Sequence, residues 1–175
     1  NLTDIRCLCS SRYINVRWEP LKHFIWTMKS AVSGKPWHGK GRNHYVITPR
    51  FAISCSAGQL IAAGRLHEQY PDTYIQTHLS ENKDEIDSTL SLFPDCRDYL
   101  EVYERAGLVT DRSVFGHCIH LSDSECRRLA EFGSVVAHCP TSNLFLGSGL
   151  FDMQQANRIG MQTVLATDVG AGTSF

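Results

Sequence analysis

The stretch T-H-L-S-E-N, residues 77–82, sets a histidine and a glutamate three positions apart, directly after the β-rich run Tyr74-Ile75-Gln76. An imidazole and a carboxylate at a strand end can divide a reaction between them. His78 has a lone pair for a divalent metal, and Glu81 can take a proton from an attacking water and return it later. Comparable groups recur along the chain: Arg50 in I-T-P-R-F, His117 and His120 in G-H-C-I-H, His138 and Asn143 in A-H-C-P-T-S-N, and Asp168 in A-T-D-V-G-A-G. A single histidine after a strand is accounted for by a satisfied core position. Polar groups after five successive β-rich runs are not. What remains is a site of histidines and a carboxylate, the ligand set of zinc or iron.

Such residues meet only if the elements before them run side by side. The β-rich runs lie at 44–53, 73–77, 113–116, 134–137 and 163–166. Between them the hydrophobic spacing is helical: 57–70 after a Ser56 cap, 82–92, 99–106 closed by Gly107, and two further segments that stop at Gly133 and Gly160. Strands that alternate with helices imply a parallel sheet, because parallel neighbours need a crossover. A doubly wound sheet would carry a G-x-G-x-x-G turn, and the chain has none. The fold class expected is therefore α/β, a parallel (β/α)8 barrel of the TIM type, which gathers chemistry at the C-terminal ends of its strands. A whole barrel takes about 250 residues, so this chain holds only part of one.

Composition narrows the function further. The chain has 175 residues, 42% of them hydrophobic and 20% charged, with a formal net charge of −1, the profile of a soluble globular domain without a nucleic-acid footprint. The basic cluster at 35–45, with Lys35, Lys40 and Arg42 beside Trp37 and Tyr45, reads as a solvated loop. No apolar run approaches the roughly 20 residues of a membrane span, and no signal peptide opens the chain, so a cytoplasmic location with no membrane partner is expected. Seven cysteines, an odd number without a C-x-x-C pair, argue against a disulfide framework and a structural zinc knuckle. Cys118 and Cys139 read as small buried hydrophobes. The first residue is Asn1 rather than Met, which suggests a processed chain or a piece of a longer one.

T-P-R-F, T-H-L-S-E-N, G-H-C-I-H-L, H-C-P-T-S-N-L-F-L-G-S-G-L-F and A-T-D-V-G-A-G-T-S-F resemble, in order and spacing, the purine-deaminating branch of the amidohydrolase superfamily. The likeness runs from about Trp37 to Phe175 and takes in L-F-P-D-C-R-D-Y-L-E-V-Y-E-R-A-G-L, which holds no strand-end site. The cytidine-type zinc deaminases differ, since they use H-x-E with P-C-x-x-C and neither occurs here. The resemblance implies a zinc-dependent aminohydrolase of purine catabolism, with iron as the alternative metal, that converts guanine to xanthine and ammonia. It also implies that this part of the barrel is about strands four to eight, with a small-molecule purine as partner and a homodimer of the complete enzyme.

Carried over by residue, it makes His78 and Asp168 metal ligands, with Asp168 also among the catalytic groups. Glu81 becomes the proton shuttle, and Arg50 binds the purine through its donor fork. His117 contacts the substrate and the developing oxyanion or approaches the metal, while His138 and Asn143 shape a loop or touch substrate. The chemistry is coherent, because hydrolytic removal of an exocyclic amine at neutral pH needs hydroxide, and a metal lowers the pKa of bound water from 15.7 toward roughly 7.

Two features depart from the family. Its H-x-H pair, which supplies two metal ligands, occurs nowhere in this chain, and residues 1–36 align with no part of it. The division expected is thus an unassigned segment at 1–36 and a partial barrel domain at 37–175. Alternative functions are a catalytically inactive remnant kept for packing or interaction, and deamination of another amino-heterocycle. By itself the chain is expected to be inactive and to hold metal poorly.

Overall fold

Nearly every helix begins on a side chain able to cap it. In the computed structural model, which describes residues 38–173, Ser56 accepts a hydrogen bond from the Gln59 amide and opens α1 (Ala57–Gln69). Asn82 does the same through Glu85 for α2 (Lys83–Leu92), and Asp98 through Glu101 for α3 (Tyr99–Arg105). Ser122 and Glu125 form a reciprocal capping box on α4 (Asp123–Glu131), and Asp152 caps α6 (Met153–Ile159). These caps satisfy amides that have no partner in the first turn. The stops at Gly107, Gly133 and Gly160 all have φ near +70° to +80°, as their positions after a helix require. Readings that fall on residues 1–36, Cys7, Cys9, Lys35, Trp37 and residues 174–175 lie outside the described residues.

Two expectations need correction. The run at 44–53 is not one strand: β1 covers only Val46–Ile47, and Ala52–Ser54 form a 3₁₀ turn. Thr48-Pro49 interrupts it, since proline offers no amide to a ladder. The stretch after His138, read as a loop, holds a further helix, α5 (Pro140–Leu146). It has no side-chain cap and only seven residues, so Pro140 in its first turn was the sole local signal.

The other strands are β2 (Tyr74–Leu79), β3 (Ser113–His117), β4 (Val135–His138) and β5 (Gln162–Leu165). All pair in parallel in the order β1-β2-β3-β4-β5, so each strand lies beside its predecessor and the winding never reverses. A doubly wound sheet reverses; a β/α barrel does not. Right-handed crossovers then place the helices on one side of the sheet. The core is formed by Ile47, Leu60, Ile75, Leu79, Tyr99, Tyr103, Phe115 and Leu129, all essentially inaccessible. Gly64 of α1 touches the end of α3 so closely that a Cβ would lie 1.8 Å from the Ala106 carbonyl oxygen.

Cys55, Cys96, Cys118, Cys126 and Cys139 are free thiols, and burial pushes Cys139 up to about 11, which suits a packing role. No helix among the described residues is long and apolar enough to cross a membrane.

Candidate active site

Parallel pairing places the C-terminal ends of all five strands at one edge, and that is where the site forms. His78 lies one residue before the end of β2. Its Nδ1–H donates to the Arg50 carbonyl at 2.7 Å, which fixes the tautomer and leaves the Nε2 lone pair available. The His78 carbonyl in turn accepts from the Tyr103 hydroxyl at 2.8 Å. After Leu79 the chain turns sharply through Ser80, at φ +49°, and this brings Glu81 back over the strand end.

His117 ends β3 with φ +70°, followed by Cys118 at +54°, two consecutive non-glycine residues in the left-handed region. That conformation is costly and is concentrated at functional sites. It is held here because the Cys118 amide bonds the Leu79 carbonyl at 2.9 Å. Asp168, the remaining strained non-glycine at φ +48°, follows β5 and receives a hydrogen bond from Ser142 Oγ at 2.7 Å. Thus all four non-glycine residues of positive φ among the described residues lie in or beside the site.

The ligand atoms of His78, His117 and Asp168 lie within 4.8 Å of one another. Glu81 Oε2 stands 3.6 Å from His117 Nε2, and Glu81 Oε1 accepts from Ser148 Oγ at 3.2 Å. His117 is 2% exposed; burial, reinforced by neighbouring His78, holds its pKa below the usual imidazole value despite Asp168. The imidazole is therefore neutral at neutral pH. Two nitrogen donors and one carboxylate, half-buried to buried and with one tautomer already fixed, fit a divalent metal of the zinc or iron type.

Asn143, fully buried, places its Nδ2 3.0 Å from His117 Nδ1, while its own Oδ1 is buried without a partner. With the amide donating, the proton of His117 sits on Nε2, facing Glu81. With the amide turned so that oxygen faces Nδ1, that proton moves to Nδ1 and Nε2 is free to ligate. The two orientations correspond to the two roles implied for His117.

The other residues singled out from the sequence are placed differently. His138 does not join the donors; its ring stacks on Phe151 with centroids 4.9 Å apart. His120 turns away to donate from Nε2 to the Ser148 carbonyl at 2.8 Å. Arg50 is exposed, its guanidinium 4.9 Å above the Phe51 ring, which itself lies 5.7 Å from His78. A cleft of about 680 Å³ opens beside Glu81, lined also by Lys83, His120, Leu146 and Ser148. Sequence reasoning gave Ser142, Ser148 and Tyr103 no role of their own. Their partners are far away along the chain, and the signals that pointed near them were the Thr-Ser-Asn run after a strand-end histidine for Ser142 and the F-L-G-S-G loop, which by resemblance favours guanine, for Ser148.

A model of the Amidohydrolase family matches residues 21–175. Among curated relatives, the guanine deaminase of Escherichia coli is 52% identical over 139 residues, which is 79% of this chain and 32% of the relative. The chain therefore spans about a third of the length of that relative. Among solved structures, E. coli guanine deaminase aligns with a TM-score of 0.85 at 46% identity, covering 89% of this chain and 36% of that one. The guanine deaminase of C. acetobutylicum, solved with guanine bound in its active site, aligns with a TM-score of 0.84 at 33% identity over 89% of this chain and 37% of that one.

Proposed function

The chain belongs to the amidohydrolase family, and from that premise we propose that it forms part of a zinc-dependent enzyme that hydrolyses guanine to xanthine and ammonia. The observation that carries this reading is the placement of Glu81 against His117, which with His78 and Asp168 makes three groups able to bind a metal, drawn together from three strand ends. Likeness to guanine deaminases, one of them with guanine bound, supports guanine as the substrate over other amino-heterocycles.

In this reading His78, His117 and Asp168 hold the metal, joined by ligands from the rest of the barrel. When bound, zinc would supply an activated water at neutral pH. Glu81 accepts the proton of the attacking water and passes it to a ring nitrogen of guanine. A second transfer carries the remaining proton of the added hydroxyl to the exocyclic amine, so that the C–N bond breaks, ammonia leaves and the carbonyl of xanthine forms. The two transfers need one carboxylate within reach of both water and ring, a contribution of typically 10²–10⁴ in rate. The Arg50 fork orients the purine, and Phe51, between Arg50 and His78, offers it an apolar face. The same proposal has the enzyme acting in purine breakdown in the cytoplasm, as a homodimer.

The test is Glu81→Gln in the full-length protein. The amide keeps the shape but cannot accept the proton, so metal content and guanine binding should persist while ammonia release falls at least about 10²-fold. Turnover at the parent rate would exclude Glu81 as the proton carrier, and absence of guanine binding in the parent protein would point to a different substrate or an inactive remnant.

A further inference from the structure

Two sequence features take no part in the proton transfers of Glu81: the second histidine of G-H-C-I-H and the L-G-S-G turn after α5. The structure joins them. His120 Nε2–H donates to the Ser148 carbonyl at 2.8 Å, across 28 residues of chain. Ser148 is 8% exposed, and its hydroxyl donates to Glu81 Oε1 at 3.2 Å, across 67 residues. Gly149 has φ +132°, and a Cβ there would lie 2.9 Å from Ile119 Cγ2, so the turn can lie against Ile119 and His120 only with glycine at that position.

Glu81 itself is held at two further points. Its amide donates to the buried Glu85 carboxylate at 3.0 Å, and its Oε2 faces His117 Nε2 at 3.6 Å. Without Ser148 the carboxylate could rotate freely about its last torsion, which has a broad energy well, and turn toward the adjoining cleft. A hydrogen bond to Oε1 removes that freedom and leaves Oε2 as the oxygen that faces the reacting groups.

We propose that Ser148, anchored by His120, is a positioning residue that ties down Oε1 of Glu81 and so presents Oε2 to the water and the purine ring. This rests on the reading of Glu81 as proton carrier. It assigns His120 a place outside the metal ligands, as the group that sets the height of the turn. The effect belongs to the chemical step, since neither Ser148 nor His120 needs to touch the metal or the purine in the ground state.

Four variants of the full-length protein test it: Ser148→Ala, His120→Ala, His120→Gln and the double alanine. kcat, KM for guanine and metal stoichiometry are measured for each, with Glu81→Gln alongside. A lost hydrogen bond to a charged group should lower kcat about tenfold in Ser148→Ala, with KM and metal content unchanged. His120→Ala should lose less, and His120→Gln, whose amide can replace the Nε2 donor, should recover most of it. Because His120 acts through Ser148, the double alanine should be no worse than Ser148→Ala. Parent kcat in Ser148→Ala, loss of metal together with kcat, or simple additivity of the two alanines would overturn the proposal. An active Glu81→Gln would instead sink the reading of Glu81 on which it rests, and the two failures are thus distinct.

Discussion

The two sides of the site are built differently. On one, β2 and β3 lie in the middle of the sheet, every other residue of β2 is buried, and Tyr99, Tyr103 and Phe115 fill the space beneath. Tyr103 alone ties three segments together: its hydroxyl accepts from the Ala52 amide at 2.9 Å and from Thr77 Oγ1 at 3.0 Å, and donates to the His78 carbonyl. On the other side, β5 is the last strand of the sheet among the described residues, where Leu165 is 76% exposed and Phe145 of α5 is 69% exposed. Asp168 depends there on Ser142 and on a local turn closed by the Gly172 amide. Within the described residues His78, His117 and Glu81 are thus set by a packed core, whereas Asp168 is held by one side-chain hydrogen bond and a local turn, beside a strand that gains a further neighbour when a barrel closes. The preorganised part of the site is the part whose supports are buried, because only there does each displaced side chain cost packing as well as a hydrogen bond.

The contrast is broken most directly by Asp168→Ala, which on the proposed reading deletes a ligand and not a proton carrier. Metal content of the purified protein should fall together with activity, as measured by elemental analysis. Full occupancy would make Asp168 an orienting base only. Ser142→Ala should sharpen the comparison: with its hydrogen-bonded support gone, Asp168 loses its orientation, and metal affinity should drop about tenfold. Unchanged affinity would mean that the local turn holds Asp168 without Ser142.

On the covered side the expected loss is in stability. Tyr103→Phe leaves the Ala52 amide and the His78 carbonyl without their shared hydroxyl in a buried place, at a cost of about 1–3 kcal/mol in denaturant unfolding. Parent stability in this variant would show that water takes over the hydroxyl's bonds.

The smallest effect lies farther from the site, at His67 of α1, which shares a hydrogen bond with Thr73 Oγ1 at 3.0 Å. Burial and then the Arg112 guanidinium hold its pKa below the ordinary value, against the opposing pull of Asp111. The unfolded chain, with a histidine pKa near about 6.5, therefore takes up the proton first as pH falls. The stability this neutral imidazole contributes is complete above about pH 6.5 and is lost on acidification. His67→Gln should flatten the fall in stability between pH 7.5 and 5.5, read from unfolding midpoints, and an unaltered slope would remove His67 from the acid response.

Much of this organisation is legible in the chain itself. Caps such as Ser56, Asn82 and Ser122 and stops such as Gly107 and Gly160 act within four residues, so they mark α1, α2, α3, α4 and α6 without tertiary information. Alternation of those helices with β-rich runs dictates parallel pairing, and parallel pairing dictates that Arg50, His78, His117, His138 and Asp168 all emerge at one edge. The sequence therefore determined which residues could share a site. It could not determine which of them do. His138 turns to stack on Phe151 and His120 to bind a carbonyl, while Ser142, Ser148 and Tyr103 reach their partners across 25 to 67 residues of chain. Backbone turns at Ser80, His117 and Asp168 that no propensity favours settle the outcome. Such conformations persist only because packing and hydrogen bonds from distant segments over-determine them, which makes them decisions of the tertiary structure and not of local sequence.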